Sequence, residues 1–238
     1  MANNEGVNGM SAADVTGSIA SVQEAGRGSK PTAALQSIWV QPIHFIIAKR
    51  ILERHHYLHS FPGGTILAFG TFVGSKLLGA MTFGSGPANA YRLVEGAVSD
   101  QCLILSRLWL SDELPRNSES RTIGVVLREL RWNKNYKFLI SYADPAQGHN
   151  GTIYQATGWL YSGLSQAMPL FDIGDGVPRH SRSLSHSYGS HSIRYFSQHG
   201  VNIKVIPQSQ KYRYVYFLDP EWCSRLKPRV LPYPKKGD

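Results

Sequence analysis

The chain is short of cysteine, of acidic residues and of long apolar runs. Its two cysteines, Cys102 and Cys223, lie far apart without metal-ligand spacing, which excludes a disulfide framework and a cysteine-based zinc site. Cys102 opens an apolar run and reads as a small buried hydrophobe. No segment reaches the ~20 apolar residues that cross a bilayer, so a membrane is excluded as a partner. The start lacks a basic stretch followed by an apolar run, so no signal peptide is expected. The reading is a soluble, intracellular protein. No internal repeat is visible.

Acid is scarce relative to base: 16 Asp and Glu face 25 Lys and Arg, for a net charge of +9. The imbalance is concentrated at the end. From Arg179 onward eleven basic residues stand against Asp219, Glu221 and Asp238, interleaved with Tyr188, Tyr195, Tyr212, Tyr214, Tyr216, Trp222 and Tyr233. Such a mixture suits a polyphosphate partner, and nucleic acid is the expected one, with Arg179, Arg182, Lys211 and Arg213 assigned to its phosphates. The alternative is a solubilising tail on an ordinary basic protein.

With 238 residues, 42% of them apolar, the chain can build one large domain with tails. Residues 1–36 are Gly-, Ser-, Ala- and Asn-rich at first and read as a disordered arm. A catalytic domain is expected over 37–226 and a basic, proline-rich tail over 227–238. Within the domain, a short strand at 39–40 precedes a helix with Pro42 in its first turn. That helix runs to about His55 on an apolar face of Ile43, Ile46, Ile47, Ile51 and Leu52. Strands at 66–73 and 77–83 form a hairpin. A strong strand follows at 103–110, a helix at 121–132 with Ile123, Val126, Leu127 and Leu130 inward, and a strand at 138–142. A short helix at 152–157 leads to a strand at 159–164. The Ser-, Arg- and His-rich run 178–189 reads as a mobile loop. A helix at 192–198 and strands at 201–206 and 212–218 complete the order. The fold class is therefore α/β, a mixed sheet with helices on both faces, in the order of the GNAT acyltransferase fold.

Chemistry is expected first at Ser141–Trp159, where a buried strand delivers Asp144 to its carboxyl end before a Gly-rich turn and a helix bearing Tyr154. A carboxylate there can take a proton from an amine, and a phenol can assist a leaving group or hold a ring. A turn-forming Asp and a core Tyr are the plain alternatives. Arg107 sits inside the apolar strand Leu103–Leu110, where a guanidinium needs an anion, either substrate or a structural acid such as Asp144. Strict alternation puts Leu105, Arg107 and Trp109 on one face. The helix start at 117–124 offers free N–H groups to an anion. His55, His56, Tyr57 and His59 cluster at a helix end, as base, cap or metal ligand. No metal ligand set is assigned, and a metal ion stays open.

Glu53–Tyr57, the strands Leu78–Gly84 and Leu105–Trp109, Asn117–Arg121, and above all Ser141–Asp144 with Ile153–Ala156 together resemble the phage Mom family of DNA modification proteins. The likeness is good over 38–164 and looser elsewhere. It implies a GNAT-like fold and transfer of a carbamoylmethyl group to the N6 amine of adenine in double-stranded DNA, which shields the DNA from restriction enzymes. It implies a phage- or prophage-encoded enzyme working in the host cytoplasm. Positions important in that family match Arg107, Asp144 and Tyr154, with His56 and Tyr57 beside them. In GNAT enzymes the helix start carries Arg/Gln-x-x-Gly-x-Gly/Ala and grips the pyrophosphate of acyl-coenzyme A. Here Arg121-Thr122-Ile123-Gly124 keeps half of it, and Val126 breaks the rest. Ser118, Ser120, Arg121 and Gly124 are the expected cofactor contacts. The donor stays open between an acyl-coenzyme-A-like molecule and another activated, glycine-derived group.

On these readings Asp144 accepts a hydrogen bond or proton from N6, Tyr154 orients the base or helps the leaving group, and Arg107 holds an anion. Tyr57, Trp109 or Trp159 stacks on an extruded base. Two rivals remain: a GNAT-fold transferase for another amine acceptor, and a DNA-binding module without catalysis.

Overall fold

A computed structural model describes residues 37–235; the arm expected over 1–36 lies outside the described residues. Seven strands form the main sheet: β1 (Ile38–Pro42), β2 (Thr65–Val73), β3 (Lys76–Gly84), β4 (Cys102–Leu110), β5 (Phe138–Ala143), β6 (Leu160–Leu164) and β10 (Tyr212–Phe217). Their order is β1-β2-β3-β4-β5-β10-β6. Neighbours are antiparallel except β4 and β5, which run parallel. This is the GNAT-like mixed sheet expected from the element order.

Helix α1 (Phe45–His55) covers one face and α2 (Ser118–Trp132) the other. α2 buries Ile123, Val126, Leu127 and Leu130 against Met81, Phe83, Leu103, Leu105 and Leu139, as their spacing predicts. Each such side chain removed from water contributes roughly 1.5–3 kcal/mol. α1 is rotated from expectation. It buries Ala48 and Leu52 against Ala68 and Ala80 and leaves Ile46 and Ile47 exposed. Pro42 ends edge strand β1, where its missing N–H does no harm, and the helix starts three residues later, capped by the His44 ring accepting from the Ile46 N–H at 3.2 Å.

β4 departs from strict alternation. Thr82 pairs with Arg107 and Phe83 with Leu105, so Ser106 is an extra residue, a β-bulge. The bulge shifts the phase of everything after it. Leu103, Leu105 and Leu108 pack on the α2 side, while Trp109 joins the α1 cluster. Arg107, paired with Thr82 two residues from Ala80, turns to the α1 side with Trp109 and away from Leu105. β4 and β5 pair only from Cys102↔Phe138 to Leu105↔Ser141, and beyond the bulge they part.

Between β6 and β10 the chain makes an insertion, residues 165–211. It holds a second sheet of order β8-β7-β9, from β7 (Leu170–Asp172), β8 (Arg179–His180) and β9 (Lys204–Ile206), with helices α4 (Ser181–Tyr188) and α5 (Ile193–Gln198). Phe171, Leu184, Phe196 and Ile203 form its own core. The run read as a mobile loop, 178–189, is thus β8 and α4. Leu184 anchors α4, and Gly189, at φ 73°, ends it in the left-handed conformation that glycine adopts freely. Leu184 and Tyr188, one turn apart, are the apolar residues among the Ser, Arg and His of α4, and a single pair is too short to mark a helical period. The tail after 226 is irregular, and it packs along the domain: Leu231 N–H donates to the Tyr161 carbonyl at 2.9 Å and the Tyr233 hydroxyl to the Trp159 carbonyl at 2.9 Å.

Candidate functional site

Where β4 and β5 part, a cleft of about 580 Å³ opens. β4 residues 105–110 form one wall, and the turn after β5, Gly148–Thr152, with α3 (Thr152–Gln155), forms another. The end of α1 closes the third with His55, His56 and Tyr57. Arg107 and Trp109 enter from the α1 side and Tyr154 from the α2 side, so the cleft gathers residues from both faces of the sheet.

Arg107 reaches this cleft with no acid within salt-bridge distance among the described residues; the ion pair with Asp144 is not formed. Its terminal nitrogens donate to the Ser106 carbonyl at 2.8 Å and, more distantly, to the Ser60 hydroxyl at 3.4 Å. Its Nε is buried without a partner. Burial holds the guanidinium pKa below its ordinary value, partly offset by Tyr57. A half-buried cation with spare donors is a receptor for an anion.

Tyr154 lies in the core beneath the cleft, its hydroxyl 2.8 Å from Ser141 Oγ. Ser141 Oγ donates toward both the phenol oxygen and the Leu105 carbonyl, 3.0 Å away, so its one proton is shared between them. Burial pushes the phenol up to about 12, so it stays protonated. His56 is 6% exposed, and its Nδ1 accepts from the Leu58 N–H at 3.1 Å. Burial first, then Arg107 and the neighbouring His149 and His59, lower its pKa to about 4, so it is a neutral ring. Tyr57 is 44% exposed, stacks on His56 at 4.4 Å and meets the His149 ring edge-on at 5.5 Å. Burial and the Asp144 charge raise its pKa against the pull of Arg107.

Asp144 stands beside this group without lining the cleft. Its Oδ1 accepts from the Ser209 hydroxyl at 2.8 Å and the Ala146 N–H at 3.0 Å; its Oδ2 is 3.4 Å from Lys211 Nζ. Burial pulls the carboxyl upward, but Ser209, the Lys211 charge and Ala146 outweigh it and leave it below its ordinary value. Four of the five expected catalytic residues thus line the cleft, and Asp144 touches it through its charge on Tyr57. Sequence reasoning missed His149, which lines the cleft, and Ser141, which holds Tyr154. His149 sits inside the segment singled out, one residue from the turn glycine, and that was its only signal. Trp159, offered as a stacking platform, is fully buried and cannot meet a base; Tyr57 and Trp109 line the cleft.

A second recess, about 560 Å³, adjoins the first turn of α2. Ser120, Arg121 and Gly124, three of the residues read as cofactor contacts, line it with Arg128, Arg131 and the residues that follow α3. Ser118 is instead buried, donating to the Pro115 carbonyl. Arg121 Nε is buried without a partner, and a Cβ on Gly124 would meet nothing. Three arginines and an orphaned donor fit an anionic group such as a phosphate. Of the residues assigned to DNA, Arg179 is clamped by Asp175 through contacts of 2.7 and 2.5 Å. Arg213 binds Ser162 at 2.9 and 2.7 Å, Lys211 binds Asp144, and Arg182 lies on α4. Among the described residues no group of three His, Cys, Asp or Glu gathers to hold a metal ion, and no helix is long and apolar enough to cross a membrane.

By topology the fold is GNAT-like. Solved structures of similar fold include AAC(6')-Ib in complex with acetyl-CoA (8% identity, 82% of this chain and 99% of that one, TM-score 0.48). The GNAT family N-acetyltransferase YhbS from Escherichia coli is another (13% identity, 81% and 87%, TM-score 0.44). The sequence carries the relationship further. The Mom protein family matches residues 37–235, and the chain belongs to that family. The methylcarbamoylase mom of Escherichia phage Mu is 30% identical over 225 residues, covering 90% of this chain and 88% of that protein.

Proposed function

We propose that this protein transfers a carbamoylmethyl group from an activated donor to the N6 amine of adenine in DNA, protecting the DNA from restriction. The observation that carries the reading is the cleft between β4 and β5, where an acid-free guanidinium and a protonated phenol face one space, in a chain whose phage Mu relative is named a methylcarbamoylase. The N6 lone pair forms a bond to the methylene carbon, the bond from that carbon to the leaving group breaks with its electrons, and N6 loses one proton. N6 is a poor nucleophile because its lone pair is delocalised, so positioning dominates. Arg107 holds an anionic part of the donor or of the DNA backbone. Tyr57, exposed at the rim, stacks on the extruded base, whose flipping costs a few kcal/mol. Tyr154 donates its proton to the departing group, and Asp144 attracts the N6 proton. Ser120, Arg121 and Gly124, with Arg128 and Arg131 adding charge, suit phosphates of a donor carrier, which would supply the group in activated form.

The test is mass spectrometry of nucleosides from DNA of cells making the protein. A deoxyadenosine carrying carbamoylmethyl in place of one hydrogen is expected, and Asp144→Ala is expected to abolish it while DNA affinity persists. Unmodified deoxyadenosine overturns the reading. A second reading, transfer to another amine, draws on one observation: Arg179, Arg213 and Lys211 are all engaged within the protein. A product on another nucleoside, or on a protein amine, would establish it.

A further inference from the structure

Asp144 is held from outside its own strand, and the holder is the insertion. Tyr212 of β10 pairs with Ala143 of β5, so the antiparallel register places Lys211 across from Asp144. Ser209 comes from the run that returns from β9 to β10 at the end of the insertion. The two ends of the insertion are pinned together where Ser165 N–H donates to the Lys211 carbonyl at 2.8 Å and Lys211 N–H to Ser165 Oγ at 3.0 Å. Two donors therefore occupy Oδ1, and the ammonium stands on one side of Oδ2. The Asp144 side chain is 14% exposed.

We propose that Ser209 and Lys211 are positioning residues for the Asp144 carboxylate, and that through them the 165–211 insertion is part of the reaction centre. The inference rests on the adenine-modification reading and extends it. Saturating Oδ1 fixes the plane of the carboxyl group and leaves an Oδ2 lone pair free, so that from beside the cleft the carboxylate draws the proton an amine releases there. The ammonium keeps that acceptor ionised. The charged or titratable groups facing Asp144 are Lys211, from the insertion, and Tyr57, beyond α1. Removing Ser209 and Lys211 leaves the Ala146 N–H alone against the cost of burial, so the carboxyl takes up its proton at higher pH. Lys211 is thus an internal partner, where the sequence suggested a DNA contact.

The experiment compares full-length wild type with Ser209→Ala, Lys211→Met, the double variant and Lys211→Arg. The first readout is the Asp144 carboxyl titration by carbon-13 NMR, assigned with Asp144→Asn. The second is the pH profile of adenine modification at saturating DNA, with DNA affinity measured alongside. Expected are an upward displacement of the carboxyl titration and of the acid limb of the profile, largest in the double variant. Recovery is expected in Lys211→Arg, with DNA affinity unchanged. A titration that stays put in the double variant overturns the proposal, as does a loss of modification matched by an equal loss of DNA affinity. If wild type yields no modified deoxyadenosine, the adenine reading fails by itself, and the carboxyl titration still decides the clamp.

Discussion

Arg107→Met is expected to make the protein more stable and inactive at once. The side chain gives up one good charge-assisted hydrogen bond, to the Ser106 carbonyl at 2.8 Å, and one weak contact, to Ser60 at 3.4 Å. The good bond is worth about 1.5–3 kcal/mol. Against this stand the buried unpartnered Nε, which costs about 1–3 kcal/mol, and the desolvation of a cation with no acid beside it, discounted here because the residue is only half-buried. Methionine has similar reach and no charge. The balance favours it by about 1 kcal/mol, which raises Tm by roughly 2–4 °C in a domain of this size. Calorimetry at pH 7.5 measures it. A companion titration with sulfate is expected to raise the Tm of wild type more than that of the variant, which keeps only the arginine recess beside α2 for the anion. A loss of about 2 kcal/mol or more in the variant, with sulfate acting equally on both proteins, refutes the argument: Arg107 would then be a structural strut.

Gly151→Ala is expected to cost about 3 kcal/mol in urea unfolding. Gly151 has φ 80°, and a Cβ there would stand 2.2 Å from the buried Tyr214 ring, adding left-handed strain to overpacking; a cost below about 1 kcal/mol would show that the ring gives way. Stability is expected to fall as pH drops from about 6.5 to about 4, because the unfolded His56 takes a proton that the native ring refuses. The loss approaches about 3 kcal/mol, and His56→Gln should flatten that slope in melts across the range. Tyr154→Phe removes one buried hydrogen bond, costing about 1 kcal/mol, since Ser141 keeps the Leu105 carbonyl. Modified deoxyadenosine should nonetheless vanish, and full product would reduce Tyr154 to a packing residue.

The strands and the long helix were legible in the sequence because their apolar residues recur with the period of the element: Ile123, Val126, Leu127 and Leu130 lie where α2 must bury them. Arg107 was legible as an anomaly, a charge in an apolar strand. Its direction was not, because a bulge at Ser106 leaves no composition signal and reverses every side chain after it. Asp144 was conspicuous, while its partners were hidden, since Ser209 and Lys211 lie 65 and 67 residues on and meet it only through the β5–β10 register. The inward side of α1 is not legible, because Ile46 and Ile47 look like core residues in any window, and only the packing of Ala48 and Leu52 shows which side faces in.

The parting of β4 and β5 has one further consequence. Beyond Leu105 no described strand pairs with β4 on the β5 side, so along 107–110 the amide and carbonyl groups of the alternate residues turned away from β3 look into the opening. Their direction is set by the sheet and survives any change of side chain. Whatever enters is met partly by main chain, a component that alanine scanning passes over. Relatives with quite different residues along this strand would still share it.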